Sequence, residues 1–76
     1  MKELVEFLAK SLVDDKEAVS LRSLDRRDAI VLELEVAQAD LGKVIGRQGR
    51  TARAIRTLLA AAASRSRRRY LLEILD

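Results

Sequence analysis

Residues 42–51 read Gly-Lys-Val-Ile-Gly-Arg-Gln-Gly-Arg-Thr and hold all three glycines of a 76-residue chain. Before them, Asp40 is a candidate helix N-cap, and Leu41, Val44 and Ile45 follow the i, i+3, i+4 spacing of a short helix. Gly46 interrupts that helix. From Arg50 a second helix is predicted to run to about Ser64, with Ala52, Ile55, Leu58, Leu59, Ala62 and Ala63 on one broad face. Arg50, Arg53 and Arg56 fan across the opposite side. Two helices joined by Gly46-Arg47-Gln48-Gly49 have a direct physical use. Glycine lacks Cβ, so it reaches positive φ and lets another molecule's backbone come close. The second helix points its free amides and positive dipole end at the turn, which favours anions.

Working outward, residues 1–15 (MKELVEFLAKSLVDD) place Leu4, Phe7, Leu8 and Leu12 at helical spacing, which predicts an amphipathic helix ending near Asp14. Residues 18–24 carry a strand signal in Val19 and Leu21, and Asp25 to Asp28 form a polar turn. In residues 30–36 (IVLELEV), Ile30, Leu32, Leu34 and Val36 share one face while Glu33 and Glu35 share the other, as in a strand with one wet side. Tyr70, Leu72 and Ile74 alternate in a closing strand over residues 67–75. The order is α-β-β-α-α-β with no linker or repeat. It predicts an α+β fold over residues 1–76, a three-stranded sheet with its helices packed on one face. Gly42, inside the short helix, is read as allowing either close packing on the sheet or approach of a ligand.

Charge is divided along the chain. Residues 1–40 hold six Lys/Arg against ten Asp/Glu, a balance of −4, whereas residues 41–76 hold nine against two, a balance of +7. That asymmetry is the footprint expected of a surface that meets phosphates, although basic halves also occur in protein-binding modules. The chain has no Cys and no His, which removes disulfides, the usual zinc and iron–sulfur ligands, and most acid–base or nucleophilic chemistry. No Gly-Lys-Ser/Thr completes a P-loop. No enzyme activity, cofactor, metal or small-molecule substrate is expected. Apolar runs are far shorter than a membrane span, so the expectation is a cytoplasmic protein without membrane contact.

Val44-Ile45-Gly46-Arg47-Gln48-Gly49, with Ile55 on the following helix, resembles the signature of the KH domain, whose GxxG loop clamps about four single-stranded nucleotides. The element order is similar to the type II, prokaryotic-style arrangement. Residues 1–15 and 41–59 (LGKVIGRQGRTARAIRTLL) resemble the KhpA family of small stand-alone bacterial KH-domain RNA-binding proteins, and the resemblance covers nearly the whole chain. It implies single-stranded RNA as the ligand, with Gly46 and Gly49 as loop glycines and Arg47 and Gln48 facing phosphates. Lys43 and Arg50 would flank the loop, and Arg53 would be a rim contact, with Arg56 a lesser one. Leu41, Val44 and Ile45, with Leu34 or Val36, would floor the base groove. The resemblance also implies self-association, pairing with a larger KH-containing protein, and roles as an RNA chaperone or in cell elongation and division.

Other readings of the same residues stand beside this one. A C-cap glycine and a turn glycine explain GxxG without a ligand. The run Arg65, Arg67, Arg68 and Arg69 would extend an RNA footprint or only keep the protein soluble. Leu59 with Ala60–Ala63 would be a packing face or a dimer seam. A protein-interaction module in a cell elongation or division complex, and a helix–turn–helix DNA reader, are the alternative functions. With one Phe and one Tyr, neither beside the loop in sequence, base stacking is scarce and low sequence specificity follows.

Overall fold

A computed structural model describes residues 1–66 and 68–76; Arg67, one member of the arginine run, lies outside the described residues. The elements are α1 (Lys2–Leu12), β1 (Ser20–Asp25), β2 (Ala29–Glu35), α2 (Leu41–Ile45), α3 (Arg50–Ala62) and β3 (Arg69–Ile74). The α-β-β-α-α-β order is the expected one, and the architecture is α+β with a three-stranded sheet.

β1 and β2 pair antiparallel around a short turn in which the Arg26 N–H donates to the Ala29 carbonyl at 2.8 Å. β2 and β3 pair parallel, giving a mixed sheet in the order β1-β2-β3. Parallel neighbours need a long crossover, and α2 with α3 supplies it.

The helices cover one face. Val5, Ala9 and Val13 pack with Leu32, Leu34, Val36, Val44, Ile55, Leu59 and Leu72 in one core. Each fully buried Leu or Val side chain contributes about 1.5–3 kcal/mol. α1 stops at Leu12, short of the predicted Asp14, because Val13 turns extended (φ −99°, ψ 159°) to put its side chain into that core. β1 likewise starts at Ser20, since Lys16–Ala18 form a single 3-10 turn.

The outer sheet face is only partly polar. Arg22, Glu33 and Glu73 share one cross-strand row, in which Arg22 Nη2 reaches Glu33 Oε1 at 2.8 Å. The next outward row is apolar, with Leu24, Val31 and Leu71 side by side. No helix among the described residues is long and apolar enough to cross a membrane.

Asp40 departs from its expected role. It makes no capping hydrogen bond to α2, and it is 3 % exposed. Its carboxylate accepts the Asp15 N–H at 3.0 Å and the Lys43 ammonium at 3.3 Å, which ties the exit of α1 to α2. The Asp15 N–H bond, above all, holds the Asp40 carboxyl below its ordinary value of 3.8, against the opposing effect of burial. A carboxyl that binds its proton more weakly folded than unfolded stabilises the fold fully above its unfolded value, and loses that contribution as pH falls through the folded value. Asp40→Asn is therefore expected to lower the melting temperature at pH 7 and to differ much less from the native chain near pH 2. Thermal unfolding at both pH values checks this; an equal deficit at both would remove the charge from the account.

Candidate nucleic-acid interface

The site begins where α2 stops. Gly46 adopts φ 78°, ψ 167°, a region open essentially to glycine alone. A Cβ there would lie 2.3 Å from Thr51 Oγ1 and 2.7 Å from the Thr51 backbone nitrogen. Arg47–Gly49 form one tight turn, closed by the Gly49 N–H donating to the Gly46 carbonyl at 3.0 Å. Within it Gln48 is left-handed (φ 57°, ψ 25°), and Gly49 (φ 75°, ψ 14°) leads into α3. Three positive φ values in four residues fold the loop back tightly and expose Arg47 and Gln48 at its tip. The first turn of α3 has no side-chain cap.

The arginines of α3 are arranged around this turn. Arg53 Nη2 donates to the Gln48 carbonyl at 3.4 Å, and Arg50 is exposed beside it. Ile45, Gly49, Ala52, Arg53, Arg56 and Ile74 line an open groove of about 540 Å³ running from the loop to β3. Arg56 Nη2 donates to the Leu72 carbonyl at 3.2 Å, which fixes one wall of the groove to β3. The groove thus offers an apolar floor, a cationic rim and a glycine turn at one end, a layout suited to a polyanionic chain with apolar bases.

Of the predicted site residues, Ile45, Gly46, Arg47, Gln48, Gly49, Arg50 and Arg53 come together here. Two others are placed differently. Val44 is fully buried in the core, as are Leu34 and nearly all of Val36, so these residues support the sheet and the floor is Ile45, Ala52 and Ile74 instead. Lys43 pairs with the carboxylates of Asp14 and Asp40, Asp14 first among the groups that raise its pKa, so it is already engaged within the protein. Gly42 does not serve close packing, since a Cβ added there would meet nothing within 4 Å. Of the two readings of Leu59 with Ala60–Ala63, packing holds for Leu59 and Ala63, which are 1 % and 8 % exposed, while Ala60–Ala62 are exposed and the neighbouring Leu58 is 50 % exposed.

Ile74 and Ala52 escaped the sequence reading as site residues. Ile74 was visible as the last inward residue of its strand, but its position beside the loop depends on the parallel pairing of β3 with β2.

The model of the family "KhpA/KhpB, KH domain" matches residues 2–74. The chain is 55 % identical to RNA-binding protein KhpA of Borreliella burgdorferi over 97 % of its length and 90 % of that protein's. It is 51 % identical to RNA-binding protein KhpA of Clostridium perfringens, covering 99 % of this chain and 100 % of the relative. RNA-binding protein KhpA of Aquifex aeolicus is 47 % identical over 100 % of this chain and 96 % of its own. No solved structure matches.

Proposed function

Because this chain belongs to the KhpA/KhpB family of KH domains, we propose that it binds single-stranded RNA through the Gly46–Gly49 loop and the groove beside it. The observation that carries the reading is the loop geometry: a left-handed turn that only glycine permits at Gly46, with Arg47 and Gln48 exposed at its tip. In this reading phosphates lie against the turn and the first amides of α3, held by Arg47, Arg50 and Arg53. Bases lie over Ile45, Ala52 and Ile74. Neither Phe7 nor Tyr70 lines this groove, so base identity is read weakly. A cytoplasmic RNA chaperone or post-transcriptional regulator, working with a partner KH protein, fits such broad and modest recognition. Lys43, held by two carboxylates, is at most a secondary contact.

Titration with salt tests the clamp. Four phosphate contacts predict that log K falls with log salt at a slope of about −3, from roughly −0.7 per phosphate on a single strand. Fluorescence anisotropy of a labelled oligouridylate, measured from 50 to 300 mM salt, reads the slope directly. A flat profile would sink the phosphate-based mechanism.

A second surface is favoured by one observation, the half-exposed Leu58. Ala54, Leu58 and Ala61 follow the i, i+4, i+7 stripe of α3 and are all exposed. Self-association, or pairing with a larger KH-containing protein, fits this stripe, and two linked copies would raise the avidity of a weak single domain.

A further inference from the structure

The sheet face away from the helices breaks the usual alternation, in which the wet side of a sheet is polar. Its side chains stand in rows set by the strand register. Leu24, Val31 and Leu71 form one row, and Leu71 is 42 % exposed. Arg22, Glu33 and Glu73 form the next. Beyond them Glu35 and the 40 % exposed Leu75 share an open depression of about 270 Å³ with Ser20, Arg22 and Glu33. At the opposite end Arg69 lies beside Ala29. The face thus sets Arg22 and Arg69 against Glu33, Glu35 and Glu73, a balance of 2 − 3 = −1. Arg22 spends both its Nε and its Nη2 on Glu33 Oε1. Glu35 and Glu73 have no ion-pair partner among the described residues.

We propose that this face docks a basic amphipathic helix of another protein, with its apolar side chains on the Leu24–Val31–Leu71 row and its Lys or Arg side chains over Glu35 and Glu73. Shape selects a helix. The two outer strands lie about 10 Å apart, the diameter of one helix, and a sheet face has no free backbone groups with which an added strand could pair. From Leu71 to Leu75 the strand advances about 13 Å, a little over two helical turns, so one helix of about twelve residues spans the apolar row and the acidic end. Charge selects the sign. A basic side chain entering the depression lays its stem on Leu75 and brings its charged end to Glu35. Phosphates would meet two unpaired carboxylates, so RNA is directed to the loop groove instead. A second copy of this chain answers the charge poorly. Each face carries −1, so two stacked faces sum to −2, and each brings only Arg69 to meet two free carboxylates. The docking face and the loop groove are separate surfaces, so the inference stands apart from the RNA reading and allows both ligands to be held together.

The test uses two synthetic helical peptides of about twelve residues, with leucines on one face of the first turns and either arginines or glutamates two turns on. Titration of the native chain, followed through its backbone amide NMR signals, should shift Val31, Leu71 and Glu73 with the arginine peptide, and leave Gly46–Gly49 unmoved. Glu35→Lys combined with Glu73→Lys should weaken that peptide about tenfold, since two rim pairs are lost and replaced by repulsion. The same variant should bind the glutamate peptide to within about threefold of the native pairing. Leu71→Ser should weaken both pairings about tenfold. All three positions are exposed, so unchanged melting curves are expected. The native chain holding saturating oligouridylate should bind the arginine peptide to within about twofold. Absence of shifts, shifts centred on the loop, or equal affinity of the native chain and the lysine variant for the arginine peptide would each overturn the docking face. So would oligouridylate shifting the Val31 and Leu71 amides, which would make RNA the occupant. Sedimentation showing native self-association that Leu71→Ser dissolves would assign the face to a second copy instead.

Discussion

Replacing Arg47 and Gln48 together by aspartate is expected to weaken binding of single-stranded RNA by at least about a hundredfold, the effect of losing two charge-assisted contacts of about 1.5–3 kcal/mol each. Two added carboxylates then face the phosphates, so repulsion compounds the loss. The fold has little reason to respond. Both side chains are exposed at the tip of the turn, and Gln48, at φ 57°, occupies a left-handed conformation that aspartate tolerates better than most residues. An aspartate at position 48 also sits near Arg53, whose guanidinium already reaches the Gln48 carbonyl at 3.4 Å, and would hold that arginine back from the ligand. Exposed substitutions of this kind move stability by about 0.5 kcal/mol, so the melting temperature should stay within about 4 °C. Anisotropy and thermal unfolding on the same sample check both halves. Retained binding with an unchanged melting curve would place the RNA somewhere other than the loop.

Gly46→Ala is expected to damage both stability and binding. The backbone there lies in a region that costs a side-chain-bearing residue about 1–3 kcal/mol. The new Cβ also lies 2.3 Å from Thr51 Oγ1 and 2.7 Å from the Thr51 backbone nitrogen, so something must move. Trimming Thr51 to alanine removes the hydroxyl contact and leaves the backbone contact, so the pair Gly46→Ala with Thr51→Ala should recover only part of the loss. For a domain of this size, 2–3 kcal/mol corresponds to a fall of roughly 10–20 °C in melting temperature. Gly42→Ala is the control. It sits in α2, a Cβ there meets nothing, and alanine favours helix over glycine by about 0.8–1 kcal/mol, so its melting temperature should hold or rise by a few degrees. Equal behaviour of the two variants would mean that the loop does not need the left-handed turn.

The contrast between these glycines shows how far a single sequence reaches. The cluster marked the loop, because a chain otherwise without glycine placed Gly46 and Gly49 between two helical patterns. It left the role of Gly42 open. Only backbone conformation separates them: φ 78° and 75° at Gly46 and Gly49, helix at Gly42. Similarly, helical spacing put both Leu58 and Leu59 on one broad face. The packed structure turns Leu59 into the core and leaves Leu58 half exposed, a difference of about 100° around the helix that a broad apolar stripe does not resolve.

The sequence by itself determined the element order, the inward faces of β2 and β3, the Gly-x-x-Gly turn and the basic surround, because these follow from local periodicity and from the special backbone freedom of glycine. Tertiary structure decided which of those residues share a site. Parallel pairing of β3 with β2 brings Ile74 beside the loop and sets Leu71 beside Val31 on the outer face. The approach of α1's exit to α2 engages Lys43 with Asp14, 29 residues away in sequence, and with Asp40. Strand pairing and ion pairing across such separations depend on where the whole chain packs, and no local pattern of residues records that outcome.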